Sequence, residues 1–377
     1  MVKDAGGERP FMRGIVIHSL MARGISFDDS YRAAEEIRDR FRDRAVVSKS
    51  EIAKTLRELL GDEPFREDPA AALPAGITVR GRGKGQPFSK GHLSQSLLAA
   101  ALDPNDAFDV ARDIEHTLRL RGVREIDRQE LRVMTLDALT KRSGPQAAER
   151  YLVWRKYQDP ERPVIILLGG TSGAGKTSLA LEVAHRLGIG RVLSTDSIRQ
   201  IMRIMLSQDL VPTLHASSYD AYKLLPPDAL GEDPVIEGFN AQAATVSVGV
   251  RASMDRAIAE NASLVMDGVS LVPGLIDLES YAELADVIFL TVATLDEDAF
   301  ENRFAARAEA ARGRPRHRYL TNLDAILRIQ NHLLELADRY HVPIVDNTTL
   351  DRSVLQIIRH VTESLRKKGD FDAADSL

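Results

Sequence analysis

From residue 164 onward, short apolar runs alternate with stretches of helical periodicity. The runs fall at residues 164–168, 191–195, 263–266, 287–292 and 342–345. The first, Val-Ile-Ile-Leu-Leu, is apolar throughout, as a parallel strand buried on both faces requires. After it, Leu179, Ala180, Val183, Ala184 and Leu187 share one face of a helix that Gly188 can end. Strands alternating with helices predict an α/β fold, here a five-stranded parallel sheet with helices on both faces. Ligands in such sheets gather at the carboxyl ends of the strands, so the residues just past each run are the ones to read for chemistry.

Upstream of residue 160 the pattern is mostly amphipathic helix, and it repeats. Phe11-Met-Arg-Gly14 and Ser19-Leu-Met-Ala22 have counterparts in Phe88-Ser-Lys-Gly91 and Ser96-Leu-Leu-Ala99. Ala34 and Ile37 match Ala111 and Ile114 at the same offset, and Glu51-Ile52 matches Glu130-Leu131 two residues further on. Two similar helical units are therefore expected, with shared amphipathic periodicity as the competing account. A hairpin rich in Gly and cations is expected at residues 77–88, and none is evident before the first unit. Prolines and charges at residues 159–163 mark a boundary. The expected domains are 1–76, 77–159 and 160–377.

Composition narrows the classes. The 377 residues include no cysteine, which excludes disulfides, zinc-thiolate sites and cysteine nucleophiles. A net charge of −5 does not suit a general nucleic-acid binder. No apolar run approaches the roughly 18 residues of a membrane span, and the first residues lack the apolar core of a signal peptide. A cytoplasmic protein without nucleic-acid or membrane partners is expected.

Residues 170–177 read Gly-Thr-Ser-Gly-Ala-Gly-Lys-Thr, matching G-x-x-x-x-G-K-[ST] between a strand and a helix. In that setting the backbone of Gly170, Thr171, Ser172, Gly173, Ala174, Gly175 and Ser178 would wrap phosphate oxygens at a helix N-terminus. Lys176 would reach the β- and γ-phosphates of ATP or GTP, and the Thr177 hydroxyl would ligate Mg²⁺. A Gly-rich turn matching by chance is the alternative, against which the flanking strand and helix both count.

Asp196 follows the second run, where a carboxylate can accept a proton, join the metal shell, or simply cap a helix. Arg199 and Arg203, four apart, project from one helix face and suit a doubly anionic acceptor, although solvated arginines would look the same. Ser218 and Tyr219 lie in a stretch rich in hydroxyls and rings that can line an acceptor pocket. His215 within it reads more simply as structural, and Phe239, Asn240 and Gln242 are further acceptor-side candidates. Asp267 ends the third run and is a second candidate for Mg²⁺. Arg303 and Arg307, followed by Arg312, Arg314 and Arg316 around Gly313 and Pro315, suit a lid that carries positive charge to a migrating phosphoryl group, or an exposed basic loop. Asn347, after the last run, would border the nucleotide.

Residues 77–157 resemble an ATP-cone, through Val79-Arg80-Gly-Arg-Gly, Pro87-Phe-Ser-Lys-Gly91 and Ala148-Glu-Arg-Tyr-Leu-Val-Trp-Arg155. From about residue 77 to 350 the order of motifs resembles the 2-phosphoglycerate kinase family. The points of resemblance are the phosphate loop, Thr195-Asp-Ser-Ile-Arg199, Leu214-His-Ala-Ser-Ser-Tyr219, Asp267-Gly-Val-Ser270, Arg303-Phe304 and Val342-Pro-Ile-Val-Asp-Asn347. That resemblance implies ATP and Mg²⁺ as cofactors and a small phosphorylated hydroxy-acid as acceptor, with catalytic roles for Lys176, Asp196, Arg303 and Arg307. Asp267 and Ser270 stand where the family pattern has Glu and His. The first change keeps the charge at shorter reach, while the second removes a cation or proton carrier. Two other readings therefore stay open: a kinase for another small acceptor, and a nucleotide sensor without transfer. The N-terminal helical region is the candidate surface for self-association.

Overall fold

The computed structural model describes residues 2–4, 7–9, 13–21, 25–41, 44, 46–62, 76–81, 85–157, 161–229, 231–296 and 322–368. These fall into two compact units. One comprises Met1–Gly91 with Phe108–Thr135, and the other His92–Ala107 with Leu136–Leu377.

The larger unit is built on five parallel strands: β1 (Val164–Gly169), β2 (Val192–Ser194), β3 (Leu264–Gly268), β4 (Asp286–Ala293) and β5 (Ile344–Asp346). Their order across the sheet is β5-β4-β1-β3-β2. All six residues of β1 are buried, because successive side chains point to opposite faces and both faces are covered. On one face Val164, Ile166 and Leu168 pack against α1 (Lys176–Leu187), through Leu179, Ala180 and Val183. The C-terminal helix Leu350–Lys368 joins the same core through Val354, Ile357 and Val361. On the other face Ile165 and Leu167 meet Ile198 of α2 (Thr195–Met205), and Val246, Val250 and Met254 of α3 (Pro234–Ala259). Helix α4 (Leu323–Arg339) buries Ile326, Ile329 and Leu333 against Val235 and Phe239 of α3. Helix α1 does end at Gly188, which caps it in the left-handed conformation.

This unit takes in more than residues 160–377. The helix Pro145–Lys156 buries Val153 and Trp154 in the core that holds β1 and α1, and Arg150 Nε donates to Ala100 O at 2.9 Å. Apolar burial therefore groups this helix with the phosphate-loop sheet.

The repeat lies in the segment before residue 144, and there the structure corrects one expectation. The first copy is not without a hairpin: Val2–Asp4 pairs antiparallel with Gly7–Arg9 and parallel with Val47–Ser48. In the second copy Thr78–Arg80 pairs antiparallel with Gln86–Pro87 and parallel with Glu125–Asp127. The helices correspond as well. Arg13 and Phe27 begin helices whose counterparts begin at Lys90 and Pro104, 77 residues on, and Lys49 corresponds to Arg128, 79 on. In the first copy Ser48 starts the last helix with a reciprocal capping box to Glu51. The Glu51 carboxyl is held down to about 2, chiefly by the Ser48 backbone N–H and then by Arg44. Among the described residues, no helix is long and apolar enough to cross a membrane.

Candidate active site

The carboxyl ends of β1, β3 and β2 meet in register. Leu168 of β1 lies opposite Asp267 of β3, and Asp267 lies opposite Ser194 of β2. The three segments that leave these ends are the phosphate loop, the 269–273 turn and helix α2.

In the phosphate loop, Gly170 has φ +144°, and a Cβ there would stand 2.1 Å from the backbone oxygen of Val292. Only glycine tolerates both the conformation and the close approach. Gly170→Ala is expected to lower stability by about 3 kcal/mol or more, from backbone strain plus overlap. An unchanged urea midpoint for that variant would contradict the contact.

Lys176 opens α1 and is largely buried, and its Nζ donates to Thr171 O at 2.7 Å. Beside it the Thr177 hydroxyl donates to Asp267 Oδ2 at 2.7 Å. Asp267 is 3% exposed, and its other oxygen, Oδ1, has no hydrogen-bond partner among the described residues. Burial raises the Asp267 pKa above the ordinary carboxylate value. The Thr177 hydrogen bond and the Lys176 charge oppose that rise, and the Asp196 charge adds to it. A half-satisfied, desolvated carboxylate touching the phosphate-loop threonine is poised to take a cation.

The loop itself is held from two sides. Thr171 Oγ1 donates to Ile326 O on α4 at 3.2 Å. Asn347 Nδ2 donates to Ala174 O at 2.8 Å, and the Asn347 backbone N–H reaches Ala293 O at 2.8 Å. Asn347 thus meets the Gly170–Thr177 loop through the loop's own carbonyl. At the exit of β4, Gln330 of α4 bonds both backbone groups of Thr294, at 3.2 and 3.0 Å. Gln330 was missed in the sequence, where it sits inside the apolar stripe of Ile326, Ile329 and Leu333 as the one polar member.

On α2 the cap is Ser194, whose hydroxyl accepts from the Ser197 N–H at 3.1 Å. Asp196, in the first turn, is therefore not the cap; its side chain is 74% exposed, 3.8 Å from Arg199 Nε. Arg199 and Arg203 have different surroundings despite their shared helix. Arg203 is exposed. Arg199 is mostly buried and donates from one nitrogen to Leu214 O and Ala216 O, both at 3.1 Å. Gln242 of α3, 1% exposed, donates to Thr213 O and Ala216 O from the other side. Two side chains thus fix the turn that leads into Ser218 and Tyr219, both buried, with Tyr219 packed against Val235 and Phe239. His215 contacts Leu206 O at 2.9 Å, a structural bond. Phe239 is core, and Asn240 Oδ1 faces His332 Nε2 at 3.3 Å. Ser178 is exposed and Ser270 buried. Arg303, Arg307, Arg312, Arg314 and Arg316 lie outside the described residues.

Residues 77–160 match the ATP cone domain family, and residues 149–220 match the Zeta toxin family. Among solved structures, a shikimate kinase from Bacteroides thetaiotaomicron aligns with a TM-score of 0.31 and 18% identity over 53% of this chain and 98% of that one. The 2-phosphoglycerate kinase of Methanocaldococcus jannaschii is 38% identical over 290 residues, 77% of this chain and 92% of that protein. Those of Methanopyrus kandleri and Methanothermobacter thermautotrophicus are each 38% identical, covering 77% and 78% of this chain and 88% and 96% of their own lengths. Identity at that level, sustained over nearly the whole of each relative, places the chain among ATP-dependent small-molecule kinases, and it belongs to the 2-phosphoglycerate kinase family.

Proposed function

We propose that this chain transfers the terminal phosphoryl group of ATP to the free hydroxyl of 2-phosphoglycerate, giving ADP and 2,3-bisphosphoglycerate. The observation that carries the reaction type is the buried Lys176 beside the Thr177–Asp267 hydrogen bond at the strand ends. The acceptor rests on the likeness to the archaeal kinases, which spans nearly the whole of those proteins.

In this reading the loop amides and the Lys176 ammonium hold the β- and γ-phosphates. The residues fit a magnesium ion, which takes one or two protein oxygens and completes its shell with phosphate and water. Thr177 Oγ1 and the Asp267 carboxylate would supply those oxygens, and the unpartnered Oδ1 favours such a role. Bound there, the ion would neutralise charge on the phosphates. Asp196, exposed at the start of α2, takes the proton of the acceptor hydroxyl as that oxygen bonds to phosphorus and the bond to ADP breaks. Arg199 acts by holding the 213–216 turn together with Gln242, which sets Ser218 and Tyr219 on the acceptor side. Arg203 offers a second cation for the acceptor, and Arg303 and Arg307 carry positive charge to the transferring group.

The test is a panel of 2-phosphoglycerate, 3-phosphoglycerate, glycerate and sugar phosphates, scored by acceptor-dependent ADP release. The highest kcat/KM is expected with 2-phosphoglycerate, with one 2,3-bisphosphoglycerate formed per ADP. A sugar phosphate turned over tenfold better would assign another acceptor, and no stimulation by any compound would mark a sensor.

A further inference from the structure

Helix α2 exposes an apolar face that none of the described residues covers. Only Thr195 and Ile198 of its eleven residues are buried. Ile201, Ile204 and Met205 are 60%, 78% and 77% exposed, and Leu210 just beyond is 69% exposed. The patch continues onto α3. A Cβ on Gly249 would lie 2.4 Å from Ile198, so the two helices touch there, and the neighbouring Val248 is 55% exposed. Five large apolar side chains at this exposure present on the order of 500 Å², the size of the largest apolar patch on a typical monomer, which is often functional.

We propose that this face is a two-fold interface between two copies of the chain. Two such patches with their rims reach the roughly 1,200–2,000 Å² of total burial that a stable interface needs. Charge around the patch favours a second copy. Asp209 borders it on the α2 side, and Arg251 and Asp255 lie on the α3 side, all exposed. An isologous contact sets each patch against itself, so a rim carrying both signs lets each cation meet a carboxylate of the other copy. A membrane surface is the poorer match, because anionic lipid attracts a polybasic rim, and this rim is mixed on a chain of net charge −5. The pairing back-to-back joins the helices that carry Asp196 and Arg199, so each copy braces the acceptor side of the other.

Light scattering on the purified full chain at tens of micromolar should give about twice the chain mass of 41.6 kDa. Ile204→Glu and, separately, Val248→Arg should each weaken self-association at least a hundredfold, with an unchanged far-ultraviolet spectrum showing that the fold survives. The absence of cysteine permits a second, independent readout. Ile204→Cys becomes the only thiol, and it should form an intermolecular disulfide on oxidation, whereas Leu181→Cys, exposed on α1 across the sheet, should not. A wild-type chain at single mass overturns the proposal. So does a dimer that survives both charged substitutions, or one that cross-links at residue 181 but not at residue 204.

Discussion

Replacing Lys176 by Met is expected to lower kcat at least a thousandfold while the fold persists. The ammonium group lies at the N-terminus of α1, largely buried and hydrogen-bonded to Thr171 O, where it sees little water to screen it. Charge placed so is worth far more against a developing phosphate charge than the same charge in bulk solvent. Its removal takes away stabilisation that appears mainly in the transition state, so kcat should fall with kcat/KM and not be rescued by more ATP. The long methionine side chain fills the space of the lysine stem. The change in folding stability should stay within the roughly 1–2 kcal/mol of a lost hydrogen bond. ADP release and a denaturant titration on the same preparation check both halves. A variant retaining a tenth of wild-type turnover would remove Lys176 from the chemistry.

Asp267→Asn should separate stability from activity in the opposite sense. Burial raises the Asp267 pKa, so in the metal-free protein the folded state binds its proton more tightly than the unfolded chain does. Between the ordinary aspartate value and the raised one, stability therefore falls as pH rises, and above the raised value the ionised carboxylate opposes folding in full. The amide carries no such charge. The variant should accordingly melt higher than wild type at neutral pH without metal, and that advantage should vanish as pH drops below the ordinary aspartate range. Turnover should fall by about two to three orders of magnitude, because the amide cannot supply the anionic oxygen that the fit to magnesium requires. Melting curves across pH, with chelator present, read the first effect, and ADP release reads the second. A lower melting point at neutral pH would mean that the carboxylate already has a stabilising partner.

The sheet was legible because its signal is local. A run such as Val-Ile-Ile-Leu-Leu can be buried on both faces only as a central strand, and all five runs mark strands of the structure. Their ends were less legible. The last run begins at Val342 in sequence but the strand begins at Ile344, since Pro343 has no N–H to give a neighbour and contributes only its carbonyl, to Thr291 N. The hairpin at residues 2–9 left no trace at all. Val-Lys-Asp and Gly-Glu-Arg show no alternation; they pair with each other, and the first also pairs with Val47–Ser48, more than forty residues away.

At the candidate site, sequence spacing named the residues but not their partners. Four-residue spacing puts Arg199 and Arg203 on one face, yet only Arg199 meets the carbonyls of Leu214 and Ala216, which come from a separate loop. The position of Asp196 at a strand-to-helix junction suits a cap as well as a base, and the choice of Ser194 as cap depends on φ and ψ, not on composition. Glutamines 242 and 330 work through backbone carbonyls and amides far away in the chain, a role that no local pattern encodes.

The ties on the phosphate loop and on the neighbouring strand exit bear on how nucleotide is met. Thr171, Asn347 and Gln330 fasten the loop and the adjoining strand exit to α4 and to the end of β5 using side-chain-to-backbone bonds, each made within the protein alone. A glycine-rich segment left to itself would sample many conformations and surrender that freedom on binding. Here the ordering is done by folding, so triphosphate arrives at a receptor already in shape, and its contact energy is not diverted into arranging the backbone.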